Sequence, residues 1–130
     1  METKKILIVE DEAMFRHAIV EKFSEDAHFL VMSAKNGKEG LDAALREHPD
    51  CILLDIIMPV MDGIEMLSLL RDDPWGKDVE VVCLSNIADS DRMAEARAKG
   101  VHEFIVKSDT DIKEFVKRIE NKFFKEKETV

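Results

Sequence analysis

The sequence lacks a long hydrophobic run, and this absence limits the classes of protein to which it can belong. No apolar stretch approaches the roughly 20 residues that a membrane-spanning helix needs, and 36% of the 130 residues are charged. The apolar part of the N-terminal segment METKKILIVEDE is shorter than the roughly 7–15 apolar residues of a secretory signal. We therefore expect a cytoplasmic protein with no membrane insertion.

Cysteine and histidine are scarce and do not have the spacing of a zinc site. Cys51 and Cys83 lie in apolar segments and have no CxxC partner, so we interpret both as small buried side chains in a reducing compartment. The four histidines are scattered along the chain without the spacing of metal ligands. The residues therefore give no argument for zinc.

Positive charge is in deficit, with a formal net charge of −9. The field of such a chain repels nucleic acid, so we expect no direct nucleic acid binding. One basic cluster lies near the C-terminus and is interleaved with acids; its members are Lys117, Arg118, Lys122, Lys125 and Lys127. We interpret this cluster as a solvated helix face.

Short apolar runs alternate five times with longer amphipathic segments. The runs, typical of strands, cover residues 5–9, 29–32, 51–54, 79–84 and 101–106. The apolar stripes of the five predicted helices are Met14, Phe15, Ala18, Ile19 and Phe23; Leu41, Ala44 and Leu45; Ile64, Leu67 and Leu70; Met93, Ala94, Ala96 and Ala98; and Ile112, Phe115, Val116, Ile119 and Phe123. Asn36 and Asp62, each followed by glycine, are placed to begin the second and third helices.

This alternation predicts an α/β fold with an open, parallel, five-stranded sheet. Parallel neighbours need crossover connections, and right-handed crossovers place helices on both faces of the sheet. Nearly continuous apolar runs are typical of strands that are covered on both faces. We predict one domain over residues 1–126 and a frayed tail over residues 127–130.

Polar side chains follow four of the five predicted strands at their carboxyl ends. Glu10 and Asp11 follow the first strand, and Asp55 follows the third. Ser85 follows the fourth strand and Lys107 the fifth. Ligands of open α/β sheets bind outside this edge, so we expect these side chains to form one site.

The chemistry of this group favours a phosphoryl site. Three nearby carboxylates repel one another unless a cation lies among them, and oxygen ligands select Mg²⁺ or Ca²⁺. Mg²⁺ takes one or two carboxylates, keeps waters and shares a phosphate oxygen. Lys107 would neutralise phosphoryl oxygens and Ser85 would donate a hydrogen bond, while one carboxylate is available as the acceptor of an aspartyl phosphate.

Four segments resemble the receiver domain of two-component response regulators, especially that of chemotaxis regulators. They are ILIVEDE (6–12), LLDIIMPVMDG (53–63), VVCLSN (81–86) and GVHEFIVK (100–107), in that order. The resemblance covers nearly the whole chain and implies a flavodoxin-like (βα)5 sheet in the order 2-1-3-4-5, with helices on both faces. It also implies Mg²⁺ as the cofactor.

The resemblance assigns metal and acceptor roles at one end of the sheet. Asp55 looks like the phosphoacceptor, which also binds the metal. Asp11 resembles the acid that binds Mg²⁺ directly, and Glu10 resembles the acid that acts largely through water. Ile57 is similar in position to the residue whose backbone carbonyl binds the metal.

The resemblance also assigns the residues that sense the phosphoryl group. Ser85 resembles the switch hydroxyl and Lys107 the phosphate-binding lysine. Phe104 stands where the family keeps its switch aromatic residue, and the output face would comprise the fourth helix, the fifth strand and the fifth helix. The family usually has proline after the lysine, whereas Ser108 stands here, so the sequence leaves a cis or trans peptide open at this point.

The resulting function is a signalling switch that catalyses only its own phosphotransfer and dephosphorylation. A sensor histidine kinase or phosphotransfer protein would supply the phosphoryl group, and a downstream protein would receive the signal. We expect a stand-alone receiver, and a receiver fragment of a longer regulator or an unphosphorylated pseudo-receiver remains open. An aspartyl-phosphate phosphohydrolase would place a second aspartate, its general acid, where Ile57 stands. This chain therefore lacks the general acid of such a hydrolase.

Overall fold

The computed structural model describes residues 2–86, 90–108 and 110–124, so the predicted tail lies outside the described residues. Five strands alternate with five helices in this part of the chain. The strands are β1 (Lys4–Val9), β2 (Phe29–Ala34), β3 (Cys51–Asp55), β4 (Glu80–Ser85) and β5 (Glu103–Val106). The helices are α1 (Ala13–Ser24), α2 (Gly37–Glu47), α3 (Gly63–Asp72), α4 (Ser90–Ala98) and α5 (Ile112–Phe124).

The strands form one parallel sheet in the order β2-β1-β3-β4-β5, which confirms the predicted fold. Successive side chains of a strand point to opposite faces, and β1 divides accordingly. Leu7 and Val9 join a core with α2, α3 and α4, which we call the α2–α4 cluster. Ile6 and Ile8 join a second core with α1 and α5, which we call the α1/α5 cluster. Helices therefore cover both faces.

The central strand β3 is buried along its whole length, from Cys51 to Asp55. Strands on both sides satisfy its backbone groups, since it pairs with β1 and β4. An apolar strand in this position leaves only its carboxyl end for a polar side chain. Asp55 is that last residue, so the sheet itself fixes its backbone at the edge.

Local capping chemistry sets the start of two helices as predicted. The side chain of Asn36 accepts a hydrogen bond from the Glu39 backbone N–H at the start of α2. The side chain of Asp62 does the same for Glu65 at the start of α3. Each cap satisfies a backbone donor that has no partner within the helix.

The predicted helix faces need two corrections. Met14 is 84% exposed and Leu45 is 37% exposed, so neither belongs to the core. In α1 the inward line runs through Phe15, Ile19 and Phe23, which are spaced by four residues, and Met14 is rotated away from that line. In α4 only Ala96 is buried, so the predicted alanine stripe is narrower than its sequence indicated.

Two residues of the basic face of α5, which was predicted to be solvated, form ion pairs with the sheet; Lys122 is exposed and Arg118 is half-buried. Arg118 and Lys122 both contact the Glu103 carboxylate, at 3.1 and 2.8 Å. Lys122 also lies 3.2 Å from a Glu80 carboxylate oxygen. These ion pairs join α5 to the first residues of β4 and β5. No helix in the described ranges has the length and apolar character needed to cross a membrane.

Candidate functional site

The candidate site lies where four strands end at the same edge of the sheet. Asp55 ends β3 and Ser85 ends β4. Glu10 directly follows β1, and Lys107 directly follows β5. The Lys107 backbone N–H donates to the Ser85 carbonyl at 2.8 Å, which continues the β4–β5 pairing beyond the last strand residue. The structure therefore brings these predicted residues together.

Three carboxylates form the centre of the site. Glu10, Asp11 and Asp55 each offer an oxygen, and these oxygens all lie within 4.8 Å of one another. Glu10 is fully buried and Asp55 is 5% exposed, whereas Asp11 is open to solvent. Burial and the charge of Glu10 raise the pKa of Asp55 to about 8, although Lys107 opposes the shift. An all-oxygen set with one open side fits Mg²⁺.

Lys107 is the cation of this acidic group. Its Nζ lies 3.0 Å from Glu10 Oε1 and 3.5 Å from Asp55 Oδ2. The first contact is an ion pair without hydrogen-bond angles, since Glu10 Oε1 has no hydrogen-bond partner among the described residues. Burial works to lower the pKa of Lys107, but contact with Glu10 and the charge of Asp55 raise it. The ammonium is therefore held in its charged form between the two acids.

The hydroxyl of Ser85 is an unsatisfied group within the site. Ser85 is 1% exposed, and its Oγ has no hydrogen-bond partner in the part of the chain that the structure describes. A buried hydroxyl without a partner costs free energy and calls for an explanation. A ligand with oxygen acceptors would complete this site, and a phosphoryl group is such a ligand.

The loop after Asp55 passes close to the site. Gly63 donates its N–H to the Ile56 carbonyl at 2.7 Å, and a Cβ at Gly63 would lie 2.3 Å from the Asp55 carbonyl oxygen. Only glycine allows this approach. The Ile57 backbone N–H lies 3.4 Å from Asp55 Oδ1, and the Ile57 side chain is 50% exposed. The role of the Ile57 carbonyl stays a prediction.

Two further residues contact the predicted set, and sequence reasoning missed both. Phe104 packs against the α2–α4 cluster, and the Arg97 guanidinium carbon lies 4.8 Å from its ring centroid. The ring centroid of Phe15 lies 4.8 Å from Lys107 Nζ. The stripe of α1 indicated only a core role for Phe15. All peptide bonds within the described ranges are trans, including the one between Lys107 and Ser108.

An open parallel sheet with an acidic, lysine-containing site at its carboxyl edge defines a flavodoxin-like α/β protein with a candidate cation and phosphoryl site. The family model of the response regulator receiver domain matches residues 6–120. The chain therefore belongs to the response regulator receiver domain family. The general function of this family is phosphorylation-dependent signalling in two-component systems.

Three relatives illustrate the range of the family. The chain is 37% identical over 105 residues to the chemotaxis protein CheY of Listeria monocytogenes, covering 79% of this chain and 85% of that protein. It is 35% identical over 108 residues to the probable transcriptional regulator ycf27 of Porphyridium aerugineum, covering 82% of this chain and 43% of that protein. The structure of the phosphorylated cyanobacterial phytochrome response regulator RcpA superposes with a TM-score of 0.79 at 32% identity, covering 92% of both chains.

The relatives also differ in length. The chain spans less than half of the first curated relatives that it matches, with 43%, 41% and 30% of their lengths covered. The third of these is a protein-glutamate methylesterase/protein-glutamine glutaminase of Archaeoglobus fulgidus. The shared part is the receiver domain, so the activities of those longer proteins do not carry over to this chain.

Proposed function

We propose that Asp55 accepts a phosphoryl group from a phosphohistidine on a sensor histidine kinase or phosphotransfer protein. The single observation that carries the proposal is the convergence of Asp55 with two other acids, a lysine and an unpartnered hydroxyl at one edge of the sheet. An Asp55 oxygen attacks phosphorus, the P–N bond breaks, and its electron pair leaves with the imidazole nitrogen. The product is an acyl phosphate on Asp55.

The acid set fits Mg²⁺ as the cofactor. Asp11 and Asp55 would bind the ion directly, with the Ile57 carbonyl as a further ligand, and Glu10 would act largely through water. When bound, Mg²⁺ would neutralise the phosphoryl oxygens and favour the carboxylate form of Asp55. The raised pKa of Asp55 in the absence of an ion supports this proposal, because burial and the neighbouring charge of Glu10 disfavour its carboxylate form and a bound cation would offset both.

Lys107 and Ser85 hold the transferred group. The Lys107 ammonium is already 3.5 Å from Asp55 Oδ2, so a small movement brings it to an oxygen of a phosphoryl group on that carboxylate. The Ser85 hydroxyl is buried at the end of β4, which pairs with β3, and has its donor unused in the described structure. The ammonium and the hydroxyl would both interact more strongly with the phosphoryl oxygens than with the free carboxylate.

The switch follows from the new charge. A phosphoryl group adds about −1.5 to −2 charges, and Ser85 would move toward its oxygens. Phe104, which is half-buried on β5, would then turn inward into the vacated space. The output is a changed α4–β5–α5 face that binds a downstream protein. The phosphoryl group can shift the balance between the inactive and active states only by the difference in its interaction energy with the two.

We also propose the setting in which this switch works. The switch acts by protein–protein contact, without direct binding of nucleic acid, as a stand-alone receiver in the cytoplasm. The high coverage of the chemotaxis relative supports the stand-alone form, and two buried free thiols fit a reducing compartment.

Intact mass after incubation with Mg²⁺ and acetyl phosphate tests the acceptor. We expect one phosphoryl adduct in the wild type and none in Asp55→Asn. Asp42→Asn, an exposed aspartate on α2, is the matched control and should gain the adduct normally. An adduct that persists in Asp55→Asn would move the acceptor elsewhere. If neither acetyl phosphate nor a cognate phosphohistidine protein gives an adduct, the pseudo-receiver is favoured, and rapid turnover of phosphate esters would favour a hydrolase.

A further inference from the structure

Lys107 has an aromatic neighbour in addition to its two acids. Its Nζ lies 4.8 Å from the ring centroid of Phe15, within the range of a cation–π contact. The same Nζ contacts Glu10 and Asp55. The ammonium is thus bounded by the carboxylates of Glu10, just after β1, and of Asp55, at the end of β3, and by a ring of α1. Because Lys107 is a flexible side chain, each of these contacts limits where its charge can lie.

The ring of Phe15 is itself held in place. Phe15 belongs to the first turn of α1 and packs against the α1/α5 cluster. Its ring meets that of Phe115 edge to face, with centroids 5.8 Å apart at 75°. Phe115 is fully buried. The edge-to-face contact with this buried ring restricts the movement of the Phe15 ring.

The exposure of the lysine makes this contact significant. The Lys107 side chain is only 16% exposed, and a cation–π contact is stronger when it is shielded from water than when it is exposed. The attraction requires an aromatic face, so an aliphatic side chain of similar size fills the volume without providing it. Placing the ammonium beforehand reduces the entropy that is lost when phosphoryl oxygens are bound.

We propose that Phe15 is a positioning residue for Lys107: its ring face holds the ammonium beside Asp55, ready for the phosphoryl oxygens. This inference rests on the proposed role of Asp55 as acceptor. It extends the site to α1 and gives the α1/α5 cluster a direct contact with the phosphate-binding group. Phe15 acts through its contact with Lys107.

Three variants separate positioning from packing. Phe15→Leu keeps an apolar side chain and removes the aromatic face, and Phe15→Tyr keeps the face. Phe23→Leu is the matched control, since Phe23 is fully buried two turns further along α1. Initial rates of adduct formation from acetyl phosphate, with saturating Mg²⁺, are measured by intact mass. We expect Phe15→Leu to be slower by about 3- to 30-fold, as 1.4 kcal/mol corresponds to tenfold, and we expect Phe15→Tyr to stay within about twofold of wild type.

The control must lose stability without losing rate. We expect Phe23→Leu to lower the urea midpoint at least as much as Phe15→Leu, with a wild-type rate. The inference is overturned if Phe15→Leu reacts at the wild-type rate, if Phe15→Tyr is as slow as Phe15→Leu, or if Phe23→Leu is equally slow. The last two outcomes would indicate packing alone.

A second measurement does not depend on phosphorylation. The ring of Phe15 should shift the NMR signals of the Lys107 side-chain methylenes upfield, and Phe15→Leu should remove this shift while Phe23→Leu leaves it. If the wild type gains no adduct but the shift is present and lost as expected, the acceptor proposal fails and the contact stands. If the shift is absent from the wild type, the positioning role fails by itself.

Discussion

At the scale of single residues, Val60 has the least favourable backbone conformation in the loop that follows Asp55. Its φ is +69° and it is 77% exposed. The Met61 N–H donates to the Pro59 carbonyl at 2.7 Å, so the turn closes across Val60. A β-branched residue is a rare occupant of the left-handed region, at a cost of about 1–2 kcal/mol. No packing of the exposed side chain offsets that cost.

Replacing Val60 should therefore stabilise the protein. We expect Val60→Gly to raise the free energy of unfolding by about 0.5–1 kcal/mol, because relief of strain exceeds the added chain entropy of glycine. Val60→Ala keeps a Cβ and should gain less. Urea denaturation followed by circular dichroism measures both. Equal or lower stability of Val60→Gly would show that the turn imposes no strain.

The residues of the site show what the sequence could and could not predict. Glu10, Asp55, Ser85 and Lys107 were predictable because they end or follow strands, and a parallel sheet carries strand ends to one edge. The contact between Phe15 and Lys107 was not predictable, since it depends on the rotation of α1 and the path of the side chain after β5. The local sequence does not determine the rotation of the helix or the path of the side chain. Val60 is similar, because no residue type in that turn marks a positive φ.

At the scale of elements, α5 is attached to the sheet by charge as well as by its apolar face. Arg118 and Lys122 both contact Glu103 on β5. Burial alone would raise the pKa of Glu103, but Lys122 and Arg118 outweigh it and lower the pKa below its ordinary 4.5. Because α5 belongs to the proposed output face, this attachment bears on how firmly that face is held.

The variant Glu103→Gln tests the attachment of α5. A lowered folded-state pKa means that the charged carboxylate stabilises the fold above pH 4.5 and that this stability is lost as pH falls through the folded-state pKa. We expect Glu103→Gln to lose about 1 kcal/mol at pH 7, with the difference from wild type shrinking toward pH 3. Urea unfolding across this range measures it, with Glu95→Gln on exposed α4 as the control. A difference that is independent of pH would mean that packing, not charge, is lost.

At the scale of the whole molecule, the site lies between two separately packed faces of one sheet. Phe104 belongs with the α2–α4 cluster, whereas Phe15 and Phe115 belong with the α1/α5 cluster. Ser85 and Lys107 lie at the edge where both clusters end. In the proposed switch, phosphorylation of Asp55 would be read through Phe104 on the α2–α4 face, whereas on the other face the anchored ring of Phe15 would hold Lys107 in place.

The whole fold should also respond to pH and Mg²⁺ through Asp55. In the absence of metal its pKa is raised from 3.8 to about 8, so between these values the native state holds a proton that the unfolded chain has released. Stability then falls as pH rises through this interval, because the native state binds more protons. Mg²⁺ bound at the proposed site of the native state should restore stability at pH 8 by RT ln(1 + [Mg²⁺]/Kd).

Urea unfolding at pH 5 and pH 8, with a chelator or with millimolar Mg²⁺, measures both effects. We expect wild type with chelator to be less stable at pH 8 than at pH 5 by about 1–3 kcal/mol, since one pKa unit corresponds to about 1.4 kcal/mol and neighbouring charges share the shift. Asp55→Asn should lose most of this dependence and most of the response to Mg²⁺, because it removes both the titrating group and a metal ligand. Asp42→Asn should retain both. If Asp55→Asn responds to pH and Mg²⁺ like wild type, then neither the buried proton nor the ion resides at Asp55, and the acidic edge stabilises the fold by some other arrangement of its charges.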